Sequence, residues 1–127
     1  MTPEMFNEIF EQQIEESRAT LVAKSVEYSR NNDRLWNFKV AANKRNCTPE
    51  EANRGMTVKH TVSIDDMVDG LKDGKLPSYE ALQEKIGDEI NYLILLKAQI
   101  MERMMLAPKV TAKKSKYASD KLHHRGE

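Results

Sequence analysis

The segment from residue 84 to residue 96 ends in an almost uninterrupted apolar run, and its spacing predicts a helix with two distinct sides. One side carries apolar residues at intervals close to a helical repeat, namely Leu82, Ile86, Leu93 and Ile100. The other side carries Glu84, Asp88 and Asn91, and Leu95 continues that line. From residue 90 to 96 the only polar groups are the Asn91 amide and the Tyr92 hydroxyl. A helix that is apolar around its whole circumference is usually surrounded by other parts of the protein. We therefore expect Asp88 and Asn91 to lie between helices.

The remaining helices follow from their start signals and apolar spacing. Capping residues occur at Thr2, Thr48 and Ser78, and Glu51 completes a capping box with Thr48. The spacing then predicts four main helices, over residues 2–28, 34–42, 49–69 and 78–106. β-Branched residues within 57–64 leave a strand as the alternative there, but the apolar helical spacing continues beyond them. We therefore expect an all-α fold, a bundle of four main helices.

Composition favours a small helical protein of a reducing compartment. Charged residues make up 31% of the 127 residues, which suits helices with solvated outer faces. The single cysteine, Cys47, excludes an internal disulfide, and the first residues lack the pattern of a signal peptide. We therefore expect a cytoplasmic location. No stretch approaches the length of about 18 apolar residues that a membrane span requires, so no membrane contact is expected.

The C-terminal segment differs from the rest in charge. Residues 107–127 contain six Lys or Arg against two acids, whereas the whole chain is formally neutral. The sequence thus divides into an all-α domain, residues 1–106, and a basic, flexible tail, residues 107–127. The tail is either a solubilising end or a contact for nucleic acid or another anionic surface.

Eleven polar residues could line a cleft between the predicted helices: Lys24, Glu27, Tyr28, Arg34, Asn37, Lys59, His60, Asp66, Glu84, Asp88 and Asn91. Carboxylates can hold Mg²⁺, which in turn binds phosphate oxygens. Alternatively, Lys and Arg can bind an anion directly while Asn and Tyr orient it. A third use is structural, because buried ion pairs can fix helix register. Lys24 and His60 also have structural interpretations, as a lysine that reaches solvent and a hydrogen-bonded core histidine.

Several of these residues occur in short blocks that resemble a known family. The blocks are Lys24, Glu27-Tyr28, Asp33-Arg34-Leu35, Asn37-Phe38-Lys39, Met56, Lys59-His60, Ile86-Gly87-Asp88 and Asn91-Tyr92-Leu93. Over about residues 5–105 the chain resembles a group of small phage and prophage proteins. That group is itself similar to the all-α nucleoside triphosphate pyrophosphohydrolases, the MazG and dUTPase-like superfamily.

The resemblance implies a MazG-like helical fold, assembled as dimers or tetramers, with Mg²⁺ held by acidic pairs on facing helices. Here Glu84 and Asp88 are four residues apart and still share one face. The implied catalytic residues are Asp88, Asn91 and Glu84. The implied metal ligands are Glu84, Asp88 and Asp66. The candidate ligand-binding residues of the predicted cleft are Lys24, Tyr28, Arg34, Asn37, Lys59 and His60.

Three functions remain open, so the sequence does not decide whether the protein is an enzyme. The first is Mg²⁺-dependent hydrolysis of a nucleoside or deoxynucleoside triphosphate to monophosphate and pyrophosphate. The second is non-catalytic sequestration of a nucleotide by a phage protein that counters host defence. The third is an interaction or DNA-associated role of the basic tail. We also expect a homo-oligomer, because the apolar segment 90–96 needs more cover than three short neighbouring helices supply.

Overall fold

The computed structural model describes residues 1–107, with the exception of the Tyr28 side chain. The helices are α1 (Pro3–Leu21), α2 (Ser25–Tyr28), α3 (Trp36–Arg45), α4 (Pro49–Leu71) and α5 (Tyr79–Leu106). Within this range the only strand-like pairing is an isolated bridge between Arg30 and Asp33. The prediction of an all-α bundle with four main helices is therefore confirmed, and residues 57–64 are helical. All but the first residue of the predicted tail, 107–127, lies outside the described residues.

Side-chain caps begin the helices at the predicted positions. Thr2 Oγ1 and Ser78 Oγ each accept a hydrogen bond at 3.1 Å from a backbone N–H of the first turn. Thr48 and Glu51 form the reciprocal capping box, with donor–acceptor distances of 3.1 Å and 2.9 Å. Each cap satisfies backbone donors that a helix start would otherwise leave unpaired. The starts of α1, α4 and α5 are thus set by local sequence.

The first helix is shorter than predicted, which corrects the expected range of 2–28. α1 ends at Leu21, and a turn over residues 22–24 separates it from the single-turn α2. The apolar stripe of α1 would continue through residue 24 to Tyr28, but residue 24 is a lysine. Extending the helix would therefore bury no apolar side chain at that position. The loop that follows places Asn31 and Asn32 at φ values of 53° and 59°. Asn tolerates this left-handed conformation better than most residues do.

The second predicted helix, expected over residues 34–42, is α3 and continues to Arg45. Asn46 adopts a left-handed conformation with φ of 54°, and its backbone N–H bonds to the carbonyls of Ala42 and Asn43. This arrangement satisfies carbonyls that the end of α3 leaves without helical partners. The short link to Thr48 then leads into α4, which packs against α3.

The main contacts between helices join α4 to α3 and to α5, and α1 to α5. Among the described residues the buried apolar side chains are few: Leu35, Phe38, Ala42 and Ala52. Polar groups complete the interior, because the buried Asn53 amide donates to Gln99 Oε1 at 2.9 Å and to the Tyr92 carbonyl at 3.2 Å. So small an apolar core limits the hydrophobic stabilisation of a single chain.

α1 contacts the first half of α5 through polar side chains. Gln12 donates to the Tyr79 hydroxyl, and Glu16 accepts from Gln83, so the two helices run in the same direction. Gly87 faces α1, and a Cβ there would lie 3.7 Å from the amide of Gln13. None of the described helices is long and apolar enough to span a bilayer.

Candidate functional site

A cleft of about 320 Å³ opens between the end of α1, the turn before α3, and the facing sides of α4 and α5. Its described lining residues are Thr20, Leu21, Lys24, Arg34, Asn37, Phe38, His60, Asp88, Asn91, Tyr92 and Leu95. Six of the ten predicted site residues are among them: Lys24, Arg34, Asn37, His60, Asp88 and Asn91. The volume lies at the lower end of the range for small-molecule pockets.

The break after α1 places positive charge at one rim of the cleft. Because α1 ends at Leu21, Lys24 lies in the following turn and lines the cleft instead of continuing along the helix surface. Arg34 Nη2 donates to the Leu21 carbonyl at 3.3 Å, which connects the turn before α3 to the end of α1. An anionic group that entered at this rim would meet two cationic side chains.

An ion pair stabilises the turn that presents Arg34. Asp33 Oδ1 accepts from the Leu35 N–H at 3.0 Å, and Asp33 Oδ2 lies 2.7 Å from Lys39 Nζ. The hydrogen bond from Lys39 lowers the pKa of Asp33, against the opposing effect of burial. Asp33 and Glu102, whose Oε1 is 2.9 Å from Lys39 Nζ, together raise the pKa of Lys39. Lys39 thus connects the turn before α3, through Asp33, to the end of α5, through Glu102.

α4 and α5 bring an imidazole and a carboxylate close together across the cleft. His60 Nε2 lies 3.9 Å from Asp88 Oδ2, and the two side chains are 19% and 44% exposed. Asn91 is buried between the helices, as predicted, whereas Asp88 lies at the mouth of the cleft. Asp88 therefore meets His60, whereas Lys59 is exposed and lies outside the lining.

Aromatic rings form the floor of the cleft. Phe38 is 1% exposed, and its ring contacts that of Tyr92 edge-on with centroids 6.5 Å apart. The Tyr92 ring lies 5.9 Å from the imidazole of His60. Such a floor offers apolar contact to a planar group of a ligand.

Three side chains of the lining carry buried polar atoms for which the described residues supply no hydrogen-bond partner. These atoms are Asn37 Oδ1, His60 Nδ1 and Asn91 Oδ1. Two further atoms of this kind, Asn53 Oδ1 and Gln99 Nε2, belong to the contact between α4 and α5. Buried polar groups in folded proteins are nearly always paired, and an unpaired one costs roughly 1–3 kcal/mol. Three of five such atoms at one cleft indicate that it accommodates a polar ligand or ordered water.

Glu84, Lys59 and Asp66 do not line the cleft, although the sequence placed them there. Glu84 lies one turn before Asp88, with its side chain 63% exposed and its Oε1 3.6 Å from Lys85 Nζ. Lys59 precedes His60 on α4 and is therefore rotated by about 100° around the helix. Asp66 is nearly two turns beyond His60, and both it and Lys59 are exposed. Helical spacing indicates a shared face but not how far along the helix a cleft extends.

The metal prediction has limited support in the cleft geometry. Asp88 is the one acid among the described lining residues, and with His60 it forms the pair that could contact a cation. Between residues 1 and 107 no group of three or more His, Cys, Asp or Glu side chains is positioned to hold a metal ion. The Mg²⁺ site stays a prediction, as does the role of the undescribed Tyr28 side chain.

Some lining residues were missed from the sequence. Thr20 and Leu21 line the cleft because α1 ends there. The sequence predicted that this helix continues to residue 28, so it gave no reason to place these two residues at a cleft. Leu95 was not missed, because the sequence had placed it on the same side of the helix as Asp88 and Asn91, and it lines the cleft.

Comparisons with protein-family models, curated proteins and solved structures find no match to this chain. The MazG-like resemblance therefore stays a prediction from the sequence blocks, and the functional inference depends on the cleft.

Proposed function

We propose that the cleft binds a small phosphorylated molecule of the nucleotide class. The observation that carries the proposal is the set of buried, unpaired polar atoms on Asn37, His60 and Asn91. These atoms share one cleft with the cationic side chains of Lys24 and Arg34. A ligand with a charged end and a polar, planar end would use both groups of residues.

The phosphate end of such a ligand fits the rim of the cleft. Arg34 offers a planar set of N–H donors and Lys24 a mobile ammonium, and both bind phosphate oxygens well. Asp88 at the mouth leaves the described rim with two permanent cations against one carboxylate. This balance favours an anion over a neutral ligand.

The base end fits the interior of the cleft. The Asn37 and Asn91 side chains each combine a hydrogen-bond donor and an acceptor, which is the pattern needed to match the edge of a nucleobase. The Phe38–Tyr92 floor would cover one side of the ring. A bound base would then satisfy amide oxygens that are otherwise buried without a partner.

Calorimetric titration with nucleoside mono-, di- and triphosphates, with and without Mg²⁺, tests the proposal. We expect saturable binding of at least one nucleotide, and a loss of about tenfold in affinity for Lys24→Gln, since charged hydrogen bonds contribute about 1.5–3 kcal/mol. Lys59→Gln is the matched control, because Lys59 is exposed outside the lining. No binding by the wild type, or an equal loss in both variants, would refute the proposal.

A second candidate is hydrolysis of the bound triphosphate to monophosphate and pyrophosphate. It is favoured by the position of Asp88, whose Oδ2 lies 3.9 Å from His60 Nε2 in the cleft. A carboxylate there could hold Mg²⁺, or with the imidazole accept a proton from water. Pyrophosphate release that is lost in Asp88→Asn would establish turnover. Recovery of the nucleotide unchanged after incubation with Mg²⁺ would leave binding alone.

A further inference from the structure

The buried, unpaired atoms of the cleft can be sorted by whether they donate or accept hydrogen bonds. Asn37 Oδ1 and Asn91 Oδ1 are amide oxygens, which only accept. The third atom, His60 Nδ1, is a ring nitrogen that donates in one neutral tautomer and accepts in the other. The chemistry that a ligand must offer to this cleft therefore depends on which nitrogen of His60 carries the proton.

The carboxylate beside His60 favours one of the two tautomers. Asp88 Oδ2 lies 3.9 Å from His60 Nε2. Its negative charge stabilises the neutral tautomer that carries the proton on Nε2, the nitrogen next to the carboxylate. Nδ1 then keeps its lone pair and accepts a hydrogen bond. All three buried, unpaired atoms of the described lining are thus acceptors.

The three acceptors come from three different helices around one aromatic floor. Asn37 belongs to α3, His60 to α4 and Asn91 to α5, and all three residues line the cleft. The Tyr92 ring lies 5.9 Å from the imidazole and 6.5 Å from the Phe38 ring. A flat ring bound in this cleft therefore shares it with acceptors from three helices.

The contact between α4 and α5 makes a different demand. Its unpaired atoms are one acceptor, Asn53 Oδ1, and one donor, Gln99 Nε2. A single water molecule can serve an acceptor and a donor together, because it both donates and accepts. In the cleft the described lining requires donors alone, so the group that satisfies it must be rich in N–H or O–H.

We propose that the base of the bound nucleotide carries an exocyclic amino group, so that guanine, adenine or cytosine binds in preference to uracil, thymine or hypoxanthine. This inference rests on the proposed function of the cleft. In a nucleotide, guanine has three N–H donors and adenine and cytosine have two, whereas uracil, thymine and hypoxanthine have one. A carbonyl in place of the amino group would set one acceptor against another and leave both unpaired.

Calorimetric titration with matched pairs of nucleotides tests the inference. Guanosine and inosine phosphates differ only in the amino group of the base, as do adenosine and purine riboside phosphates, and cytidine and pyrimidin-2-one riboside phosphates. At equal phosphate number, we expect the amino member of at least one pair to bind about tenfold more tightly. A buried acceptor left unpaired weakens binding by roughly that factor.

The same titrations separate this inference from the proposed function. Saturable binding with equal affinities within every pair would overturn the amino preference and leave the nucleotide site established. Tighter binding of the members that lack the amino group would also overturn it. No binding of any nucleotide would refute the proposed function, and this inference with it.

The ratio of affinities within a pair shows which residues recognise the amino group. Asn91→Leu should weaken the amino member and bring the ratio towards one, because it removes an acceptor, and Asn37→Leu repeats the test on another helix. Lys24→Gln should weaken both members and keep the ratio, since its ammonium serves the phosphate end. Asn43→Leu, at an exposed position of α3, is the matched control and should change neither affinity. A ratio that survives in both Asn91→Leu and Asn37→Leu would overturn the assignment of these acceptors.

Discussion

In the cleft, polar atoms are buried without described partners, whereas elsewhere on α5 apolar side chains such as Leu93 and Ile100 are exposed. α5 carries both arrangements within two residues, because Asn91 is 9% exposed and Leu93 is 48% exposed. Each arrangement costs free energy in the isolated chain, the first through lost hydrogen bonds and the second through apolar surface in water. The two arrangements therefore differ in what they favour, because the cleft favours a polar ligand while the exposed apolar side chains stay in contact with water in the single chain.

The largest expected effect separates the buried ring under the cleft from an exposed ring on α1. Phe38→Ala should lower the free energy of unfolding by about 3–5 kcal/mol, because the ring is 1% exposed and leaves a cavity. The same change at Phe10, which is 53% exposed, should cost the monomer less than about 0.5 kcal/mol. Urea denaturation at low protein concentration measures both values.

Protein concentration sharpens this prediction. If the expected homo-oligomer covers Phe10, the cost of Phe10→Ala should rise with protein concentration, because only the folded assembly would bury that ring. The cost of Phe38→Ala should not depend on concentration. If Phe38→Ala and Phe10→Ala lowered the free energy of unfolding equally in dilute solution, the two rings would not differ in packing.

At the buried Asn91 amide of the cleft we expect a smaller effect, and an increase instead of a decrease in the free energy of unfolding. Asn91→Leu should raise the free energy of unfolding by about 1 kcal/mol, because an apolar group of similar size replaces an unpaired oxygen. The same variant should bind nucleotide at least tenfold more weakly. Asn43→Leu on α3 is the matched control, since Asn43 is exposed and should change neither quantity. A clear loss of stability in Asn91→Leu would show that the amide is already satisfied.

The smallest expected effect concerns the ion pair that supports the cleft rim. Since Lys39 lowers the pKa of Asp33 in the folded chain, its contribution is present above the ordinary aspartate pKa and is lost as the pH falls through the lowered value. Both side chains are partly exposed, so the contribution is at most about 1 kcal/mol. Lys39→Met should therefore be less stable than the wild type at pH 7, and the difference should shrink below about pH 4.

Urea midpoints at several pH values measure this convergence. Lys44→Met, at an exposed position of the same helix, should follow the wild type throughout. A difference between Lys39→Met and the wild type that stays constant down to pH 2 would mean that Asp33 does not respond to Lys39.

The type of each main helix and most of the helix ends were largely predictable, because they depend on residues that are close together in the sequence. Thr48 and Glu51 specify the start of α4 through their own hydrogen bonds, and Asn46 ends α3 by adopting a left-handed conformation. The end of α1 was not predictable. A seven-residue interval between Leu21 and Tyr28 fits a continued helix and a turn equally well until the surrounding helices are in place.

The cleft was predictable in residue type but not in extent. Spacing on α5 grouped Glu84, Asp88 and Asn91, yet Glu84 is exposed one turn too early to contribute. A periodicity fixes direction around a helix axis, whereas position along the axis depends on where α1 and α3 cross it. The position of His60, and not its neighbour Lys59, in the lining beside Asp88 has the same origin.

Sequence alone determined the helical class, the caps and the two-sided character of α5, since each depends on residues within a few turns of one another. The tertiary structure decided which polar residues share a cleft and which apolar residues lack cover. Those outcomes depend on how helices cross, and crossing is set by contacts between residues far apart in the chain, such as Asn53 with Gln99.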